Sequence, residues 1–132
     1  MLSAQNNKPV SKDSLEHLTE ITTEYLTKYN YKDGIEHAYI LLEHAENSGD
    51  NYYKFHAHNY LGIAYNELKD NPRAKSNYLK ALKIAHSLEN DTLLIYIYNN
   101  LGNIYSEEKG NEEKGIAYYN KVIGLADSLK VP

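Results

Sequence analysis

Asparagine recurs on one side of two predicted helices, in positions suited to hydrogen bonding with a peptide. Asn59 and Asn66 belong to the set 56, 59, 63 and 66, whose spacing of three, four and three residues places it on one helix face. Asn99 and Asn103 belong to the same pattern forty residues later. Asparagine inside a helix costs roughly 0.6 kcal/mol relative to alanine, yet its amide matches the donors and acceptors of an extended main chain. Two interpretations stay open, namely peptide binding and a polar face covered by water.

The six histidines do not have the spacing of a metal site. His37 and His44 are seven residues apart, and His56 and His58 lie on opposite sides of a predicted helix. No two histidines have the i, i+4 spacing of helical zinc ligands, and the chain contains no cysteine. The sequence therefore predicts no metal site and no thiol nucleophile. It predicts that His58 is a hydrogen-bonded core residue and that His56 is a candidate ligand contact.

Paired carboxylates occur at Glu107-Glu108 and Glu112-Glu113, on either side of a predicted turn. Catalytic carboxylates need an enclosed pocket, which a turn between exposed helices does not supply. These side chains suit solvent and the positive end of a helix dipole instead. The chain has no glycine-rich phosphate loop and no Ser-His-Asp arrangement. We therefore expect neither enzymatic activity nor a bound cofactor.

Charge and hydropathy limit the class of partner. The 132 residues include 14 Lys and Arg scattered among 18 Asp and Glu, for a net charge of −4 at pH 7. Because phosphate binding depends on clustered cations, nucleic acid is disfavoured. No apolar run approaches the roughly 18 residues that a membrane span needs. These features favour a soluble protein of about one domain.

The chain contains an internal repeat with a period near forty residues. Residues 55–88 and 95–129 align so that Leu61-Gly62 corresponds to Leu101-Gly102 and Tyr65 to Tyr105. One residue is inserted in the last turn, within 109–114. A fixed period of this length indicates stacked supersecondary units, none of which can bury its apolar face alone.

The repeated residues resemble the tetratricopeptide repeat (TPR) family, whose pattern is a large residue, Leu-Gly and Tyr, followed by Ala and an aromatic residue. The matching positions are Leu61, Gly62, Tyr65, Ala74, Tyr78 and Ala81 in one copy, and Leu101, Gly102, Tyr105, Gly115 and Tyr119 in the next. The same step gives a diverged first copy with Ile21, Tyr25, Gly34 and Ala38. The long repeat without a terminal proline is similar to TPR arrays of bacterial peptide-responsive regulators, sensor proteins and kinesin light chains.

This resemblance implies an all-α fold, a right-handed superhelical solenoid of three TPR-like repeats. We expect a single TPR domain at 12–130, with repeats at about 12–50, 51–90 and 91–130. The six predicted helices are 12–29, 32–47, 52–69, 72–88, 92–108 and 112–129. Residues 1–11 are expected to form a disordered lead. In that lead, Leu2-Ser3-Ala4 resembles the end of a secretory cleavage site, which leaves cytoplasmic and bacterial periplasmic locations open.

Packing within each repeat is predicted from the same positions. Gly62 and Gly102 are expected to let the two helix backbones of a repeat approach closely. Apolar side chains on one face of each first helix should be buried against the second helix. The first-helix residues are Leu61, Tyr65, Leu68, Tyr98, Leu101 and Tyr105, and the second-helix residues are Tyr78, Ala81, Leu82, Ala85, Tyr119, Val122, Ile123 and Ala126. Asn71-Pro72 and Asn111 are predicted helix starts.

The asparagine stripe lies about 200° around the helix from Leu61, and in the resembled family this face lines the binding groove. Its residues are His56, Asn59, Ile63, Asn66, Tyr96, Asn99, Asn103 and Ser106, with Glu16, Thr19, Thr23 and Leu26 in the first copy. The stripe contains no Lys or Arg, so acidic C-terminal tails are disfavoured as ligands. We expect the groove to bind a protein or an extended peptide, as the regulatory part of a larger bacterial signalling protein.

The last residues suggest an alternative. Leu129-Lys130-Val131-Pro132 stands where a fourth repeat would begin, and no polar capping helix precedes it. We expect either that the natural chain continues or that the open end is covered by another copy. The alternative function is therefore a structural assembly module that forms homo-oligomers through uncapped repeat ends.

Overall fold

Residues 11–130 are described by a computed structural model. They form six helices and no strand: α1 (Lys12–Thr27), α2 (Tyr31–Ser48), α3 (Asn51–Glu67), α4 (Asn71–Ser87), α5 (Asp91–Ser106) and α6 (Glu112–Leu129). The all-α prediction is confirmed, and every helix end lies within two residues of its predicted position. Of the predicted lead at 1–11, only Ser11 is described, and its side chain caps α1 by accepting from the Ser14 N–H. Leu2-Ser3-Ala4 lies outside the described residues.

Every turn between helices contains a left-handed residue followed at once by Asn or Asp. The left-handed residues are Tyr29, Gly49, Lys69, Glu89 and Gly110, a step of twenty residues that the insertion lengthens by one at the end. The residues that follow are Asn30, Asp50, Asp70, Asn90 and Asn111. In the first four turns the following residue has two roles. Its backbone N–H donates to the carbonyl five residues earlier, and its side-chain oxygen accepts from the amide three residues later.

Two predicted helix starts need correction. The N-cap of α4 is Asp70, whose carboxylate accepts from the Arg73 N–H at 3.2 Å, whereas Asn71 and Pro72 are the first helical residues. Asn111 does occupy the N-cap of α6, but its side chain makes no capping bond. Instead, the side-chain amide of Asn111 donates to the carboxylate of Glu108. The insertion changes the φ and ψ of this turn, which explains why the cap is lost there.

The helices form a curved array. Each helix packs against the next, and in addition α1 contacts α3 and α3 contacts α5. The second helices of the repeats, α2, α4 and α6, do not contact one another. Since the first helices lie closer together than the second helices, the array curves around α1, α3 and α5, which form its concave side. Between residues 11 and 130 no helix has the length and apolar character required to cross a membrane.

Two clusters of buried side chains hold the repeats together. Leu15, Leu41, Ala45 and Ala57 join the first repeat to the second. A larger cluster joins the second repeat to the third, with these buried residues: Phe55, Ala74, Tyr78, Ala81, Ala85, Leu93, Leu94, Ile97, Tyr98, Leu101, Ile104 and Tyr105. Burying one large apolar side chain contributes roughly 1.5–3 kcal/mol, so stability is distributed along both interfaces between repeats.

Of the fourteen side chains predicted to pack between the helices of a repeat, seven are buried: Leu61, Tyr78, Ala81, Ala85, Tyr98, Leu101 and Tyr105. Five are half-buried, namely Tyr65, Leu82, Tyr119, Val122 and Ala126, and the remaining two are exposed. The repeat glycines Gly62, Gly102 and Gly115 are buried. Leu68 was expected in the core but is 52% exposed, because α3 ends at Glu67 and Leu68 already belongs to the turn. Ile123 was also expected in the core and is 58% exposed, because it lies on the side of α6 that no described residue covers.

The repeated glycines make room for tyrosine rings, which corrects the predicted backbone approach. A Cβ on Gly62 would lie 2.4 Å from the ring of Tyr78, and one on Gly102 would lie 2.6 Å from the ring of Tyr119. Close backbone approach does occur at Gly115, where a Cβ would lie 2.6 Å from the backbone nitrogen of Ser106. Gly62 and Tyr78 thus form one packing unit: the Tyr78 ring fills the space beside Gly62, and only a residue without a side chain leaves that space open.

Candidate partner-binding groove

The predicted groove residues differ widely in accessibility. Tyr96, Asn99 and Asn103 on α5 are exposed, with Tyr96 at 51%. His56, Ile63, Asn66 and Ser106 are half-buried. Asn59 is buried, with 7% exposure. The α5 part of the stripe therefore faces solvent, and the α3 part is partly enclosed by neighbouring helices.

Asn59 is engaged in the contact between repeats. Its side-chain oxygen accepts a hydrogen bond of 2.7 Å from the Asn100 side chain of α5, so this acceptor is already satisfied within the fold. The corresponding residue in the next repeat, Asn99, is exposed. The forty-residue step therefore aligns two asparagines that are equivalent in sequence but have different environments.

On α5, Asn99 and Asn103 also differ in their hydrogen bonds. The Tyr119 hydroxyl donates to the side-chain oxygen of Asn103, which leaves the two N–H donors of that amide for a ligand. Within residues 11–130, the Asn99 side chain is exposed and makes no hydrogen bond, so its acceptor and both donors are unpaired. Together these amides can donate to and accept from a peptide main chain.

His56 lies among tyrosines on α3. Its ring centre is 4.6 Å from that of Tyr52 and 5.8 Å from that of Tyr60, to which it is nearly parallel. Burial lowers the pKa of His56, so the imidazole is predominantly neutral at pH 7. Burial is also the main reason why the pKa of Tyr60 rises to about 12. This part of the groove is thus an uncharged aromatic surface.

Opposite this aromatic surface, α1 contributes acidic residues. Residues of both helices line a cleft of about 350 Å³: Glu16, Thr19, Glu20, Tyr52, Tyr53, His56 and Tyr60. The forty-residue step had placed Glu16, Thr19 and His56 on the stripe. Glu20 and the three tyrosines were missed, although Glu20 follows Glu16 by one helical turn and therefore shares its face.

His58 lies on the other side of α3 and is a structural residue, as predicted. It is buried, and its Nδ1–H donates to the side-chain oxygen of Asn77 on α4 at 3.0 Å. Asn77 in turn donates to the Arg73 carbonyl at 2.9 Å, which completes the network. Burial lowers the pKa of His58 even though the Asn77 hydrogen bond acts in the opposite direction. Across residues 11–130, no three His, Asp or Glu side chains are grouped closely enough to hold a metal ion.

Comparison with known proteins identifies the repeat. A family model described as tetratricopeptide repeat matches residues 53–128, which include the second and third helix pairs. Comparisons with curated proteins and with solved structures gave no significant match. The match covers more than half of the chain and includes the Leu-Gly pairs, the tyrosines that follow them and the rings that pack on both glycines. The chain therefore belongs to the tetratricopeptide repeat family, whose repeats generally mediate protein–protein interaction or scaffolding.

Proposed function

We propose that this protein binds an extended segment of a partner protein along its concave side. The observation that carries the proposal is the inner face of α5, where Tyr96, Asn99 and Asn103 are exposed next to one another along the helix. Their spacing of three and four residues aligns them along the helix axis. A chain lying across this face would meet amide donors and acceptors together with an aromatic surface.

The chemistry of this face favours recognition of a main chain. Asparagine amides bond to peptide N–H and C=O groups whatever the side-chain sequence, so they supply affinity without strong selectivity. Tyrosine adds apolar contact area at a small cost in conformational entropy. Tetratricopeptide repeats form a non-catalytic family, and a binding role in a larger regulatory protein is consistent with these properties.

Removal of the exposed amides should weaken binding without weakening the fold. In Asn99→Ala and Asn103→Ala, each lost hydrogen bond to a peptide should reduce the binding free energy by about 0.5–1.5 kcal/mol. The melting temperature should change little, because alanine is the better helix former at an exposed site and the Tyr119 hydroxyl, which loses its acceptor in Asn103→Ala, can bond to water instead. Calorimetric titration with a peptide selected from a random displayed library would measure both effects against the parent protein.

Two control variants make this test specific. Asn47→Ala removes an exposed asparagine from α2 on the outer side and should leave affinity unchanged. Asn59→Ala should instead lower the melting temperature, since it deprives Asn100 of its acceptor. If the Asn99→Ala, Asn103→Ala double variant bound selected peptides as tightly as the parent, the α5 face would not be the binding surface.

A second function, self-assembly, is supported by the exposed side of α6. Leu42 and Leu82 stand at the repeat position of Ile123, and both pack against buried clusters that include residues of the next repeat. Among residues 11–130 no following repeat covers Ile123, which is 58% exposed. We propose a second copy of this chain as the occupant of this side. Head-to-tail stacking would place α1 of one copy against α6 of another. In α1 the repeat positions of the buried residues Leu94 and Ile97 are occupied by the exposed polar residues Ser14 and His17, so a twofold arrangement is favoured instead.

Self-assembly predicts a concentration-dependent dimer. Sedimentation of the parent protein should show dimers at high concentration, and Ile123→Glu should shift the equilibrium to monomer because a carboxylate would be buried without a partner. Leu79→Glu is the control, since Leu79 is 43% exposed on α4 and lies outside the proposed interface. A parent protein that remains monomeric at millimolar concentration would reject the assembly function.

A further inference from the structure

The cleft between α1 and α3 has two walls of different chemistry. Glu16 and Glu20 stand one helical turn apart on α1 and form an acidic wall with Thr19 between them. Tyr52, His56 and Tyr60 follow one another at four-residue steps along α3 and form an aromatic wall. At about 350 Å³, the cleft is at the small end of the range for ligand pockets and has room for a side chain.

The acidic wall has no cationic partner within the described chain. In residues 11–130, the side chains of Glu16 and Glu20 make no salt bridge or hydrogen bond, whereas Glu24, one turn later, is paired with Lys28 at 2.7 Å. Burial, followed by the negative charges of Glu16 and Asp50, raises the pKa of Tyr53 at the cleft. The cleft is therefore a region of uncompensated negative charge.

The aromatic wall can contact a planar cation. Tyr52 meets His56 edge to face, while His56 and Tyr60 are stacked at an angle of 26°, so ring surfaces as well as ring edges are presented. The lowered pKa of His56 keeps its imidazole neutral near pH 7, and it adds no positive charge that would repel a cation. A guanidinium group suits such a site because it stacks on aromatic faces and bonds to carboxylates through two N–H groups at once.

The next junction between first helices provides an internal comparison. The forty-residue step takes Glu16 to His56, Thr19 to Asn59 and Glu20 to Tyr60, so the positions of α3 that correspond to the acidic wall carry no carboxylate. That junction is also closed by the hydrogen bond from Asn100 to Asn59. The acidic and aromatic cleft is thus a feature of the first junction and not a consequence of the repeat.

We propose that this cleft binds the guanidinium group of an arginine side chain in the partner segment. The carboxylates of Glu16 and Glu20 accept its N–H groups, and the rings of Tyr52 and His56 contact its plane. This inference rests on the proposed peptide-binding function and specifies the partner, since an arginine would fix the position of a main chain that the asparagines bind without regard to sequence. The net charge of −4 favours approach of a basic segment in the same sense.

The test uses three short probes and the full chain. Acetyl-Ala-Arg-Ala-amide, the matched Gln tripeptide and the matched Lys tripeptide are titrated into isotopically labelled protein, and backbone amide shifts are followed by NMR. We expect the Arg probe to shift amides around Glu16, Glu20 and Tyr52, with affinity about tenfold above that of the Gln probe. Rising salt should weaken this difference, because a half-exposed ion pair is screened.

Charge-matched variants decide the assignment. The double variant Glu16→Gln, Glu20→Gln should lose the preference for Arg, while Glu36→Gln, Glu43→Gln removes two exposed carboxylates from α2 and should retain it. Equal affinity for the Arg and Gln probes, or Arg-dependent shifts confined to other helices, would overturn the proposal. Equal binding of the Lys and Arg probes would likewise reject the guanidinium assignment.

Failure of this inference is distinguishable from failure of the proposed function. Suppose that library-selected peptides contain no basic residue and still shift the amides of Asn99 and Asn103. The peptide-binding function would then be supported, and the arginine site would be rejected. If no peptide were selected from the library but the Arg probe still shifted the amides of Glu16 and Glu20, the peptide-binding function would be rejected and the arginine site retained.

Discussion

Gly62→Leu should destabilise the protein more than any other substitution considered for its interior, by about 1–3 kcal/mol or more. Even a Cβ at this position would lie 2.4 Å from the ring of Tyr78. Tyr78 is 2% exposed, so its ring cannot swing into solvent to relieve the overlap. The measurement is the change in free energy of unfolding, from chemical denaturation followed by circular dichroism.

Two other glycines calibrate this effect. At Gly124 a Cβ would have no neighbour within 4 Å, so Gly124→Ala should stabilise the exposed helix α6 by about 0.5–1 kcal/mol. At Gly102 the opposing ring of Tyr119 is only half-buried and can move outward, so Gly102→Leu should cost less than Gly62→Leu. Unfolding curves for Gly62→Leu that superimpose on those of the parent would contradict the packing unit of Gly62 and Tyr78.

His58→Leu should cost about 1–3 kcal/mol, because it leaves the buried side-chain oxygen of Asn77 without a donor. The double variant His58→Leu, Asn77→Leu should recover part of this loss, since both polar partners are then replaced by apolar groups. A cycle of the two single variants and the double variant, each followed by denaturation, gives the coupling energy. Strictly additive losses would contradict a direct interaction.

The same histidine makes stability depend on pH. The pKa of His58 is lowered in the folded protein, chiefly by burial, so the unfolded chain takes up a proton at a higher pH than the folded chain does. Stability is therefore full above the ordinary histidine pKa of about 6.5 and declines as the pH falls below it. His56 acts in the same direction, so His58→Leu should reduce this acid loss without removing it. A parent protein equally stable at pH 7.5 and pH 5.5 would contradict the shift.

Much of the fold could be predicted from sequence because repetition tests each assignment more than once. Leu61 and Leu101 occupy equivalent positions, and both are fully buried at the contact between the helices of a repeat. The diverged first copy was harder to recognise because its Leu-Gly pair is replaced by Ile21 and Thr22. Thr22 can nevertheless be buried, because its hydroxyl donates a hydrogen bond of 2.7 Å to the Leu18 carbonyl of the same helix and therefore needs no water.

The errors came from contacts that a period alone does not determine. The period shows that a glycine recurs, but not whether a ring or a backbone fills the space beside it, as Tyr78 does beside Gly62. It also aligned Asn59 with Asn99, although within residues 11–130 Asn59 accepts a hydrogen bond from the first helix of the next repeat, through Asn100, and Asn99 does not. Environment depends on the neighbouring repeat as well as on the position within a repeat.

The candidate site was predicted only in part for a similar reason. His56 and Glu16 were both on the predicted stripe, but their distance across the cleft depends on how closely α1 packs against α3. Sequence spacing describes one helix face at a time, and the cleft is formed by two faces. The acidic wall therefore becomes significant only when the aromatic wall is seen opposite it.

The turns also determine how motion spreads through the array. In four turns one residue bonds to both flanking helices: Asn30, Asp50, Asp70 and Asn90. Its backbone N–H bonds to the end of the preceding helix, and its side chain caps the start of the next helix. Fraying of one helix therefore weakens a hydrogen bond at the end of the other. This mechanical link is missing before α6, where Asn111 makes no capping bond. We therefore expect amide hydrogen exchange in α6 to be less strongly coupled to exchange in the preceding helix than it is across the other four turns, so that α6 opens first.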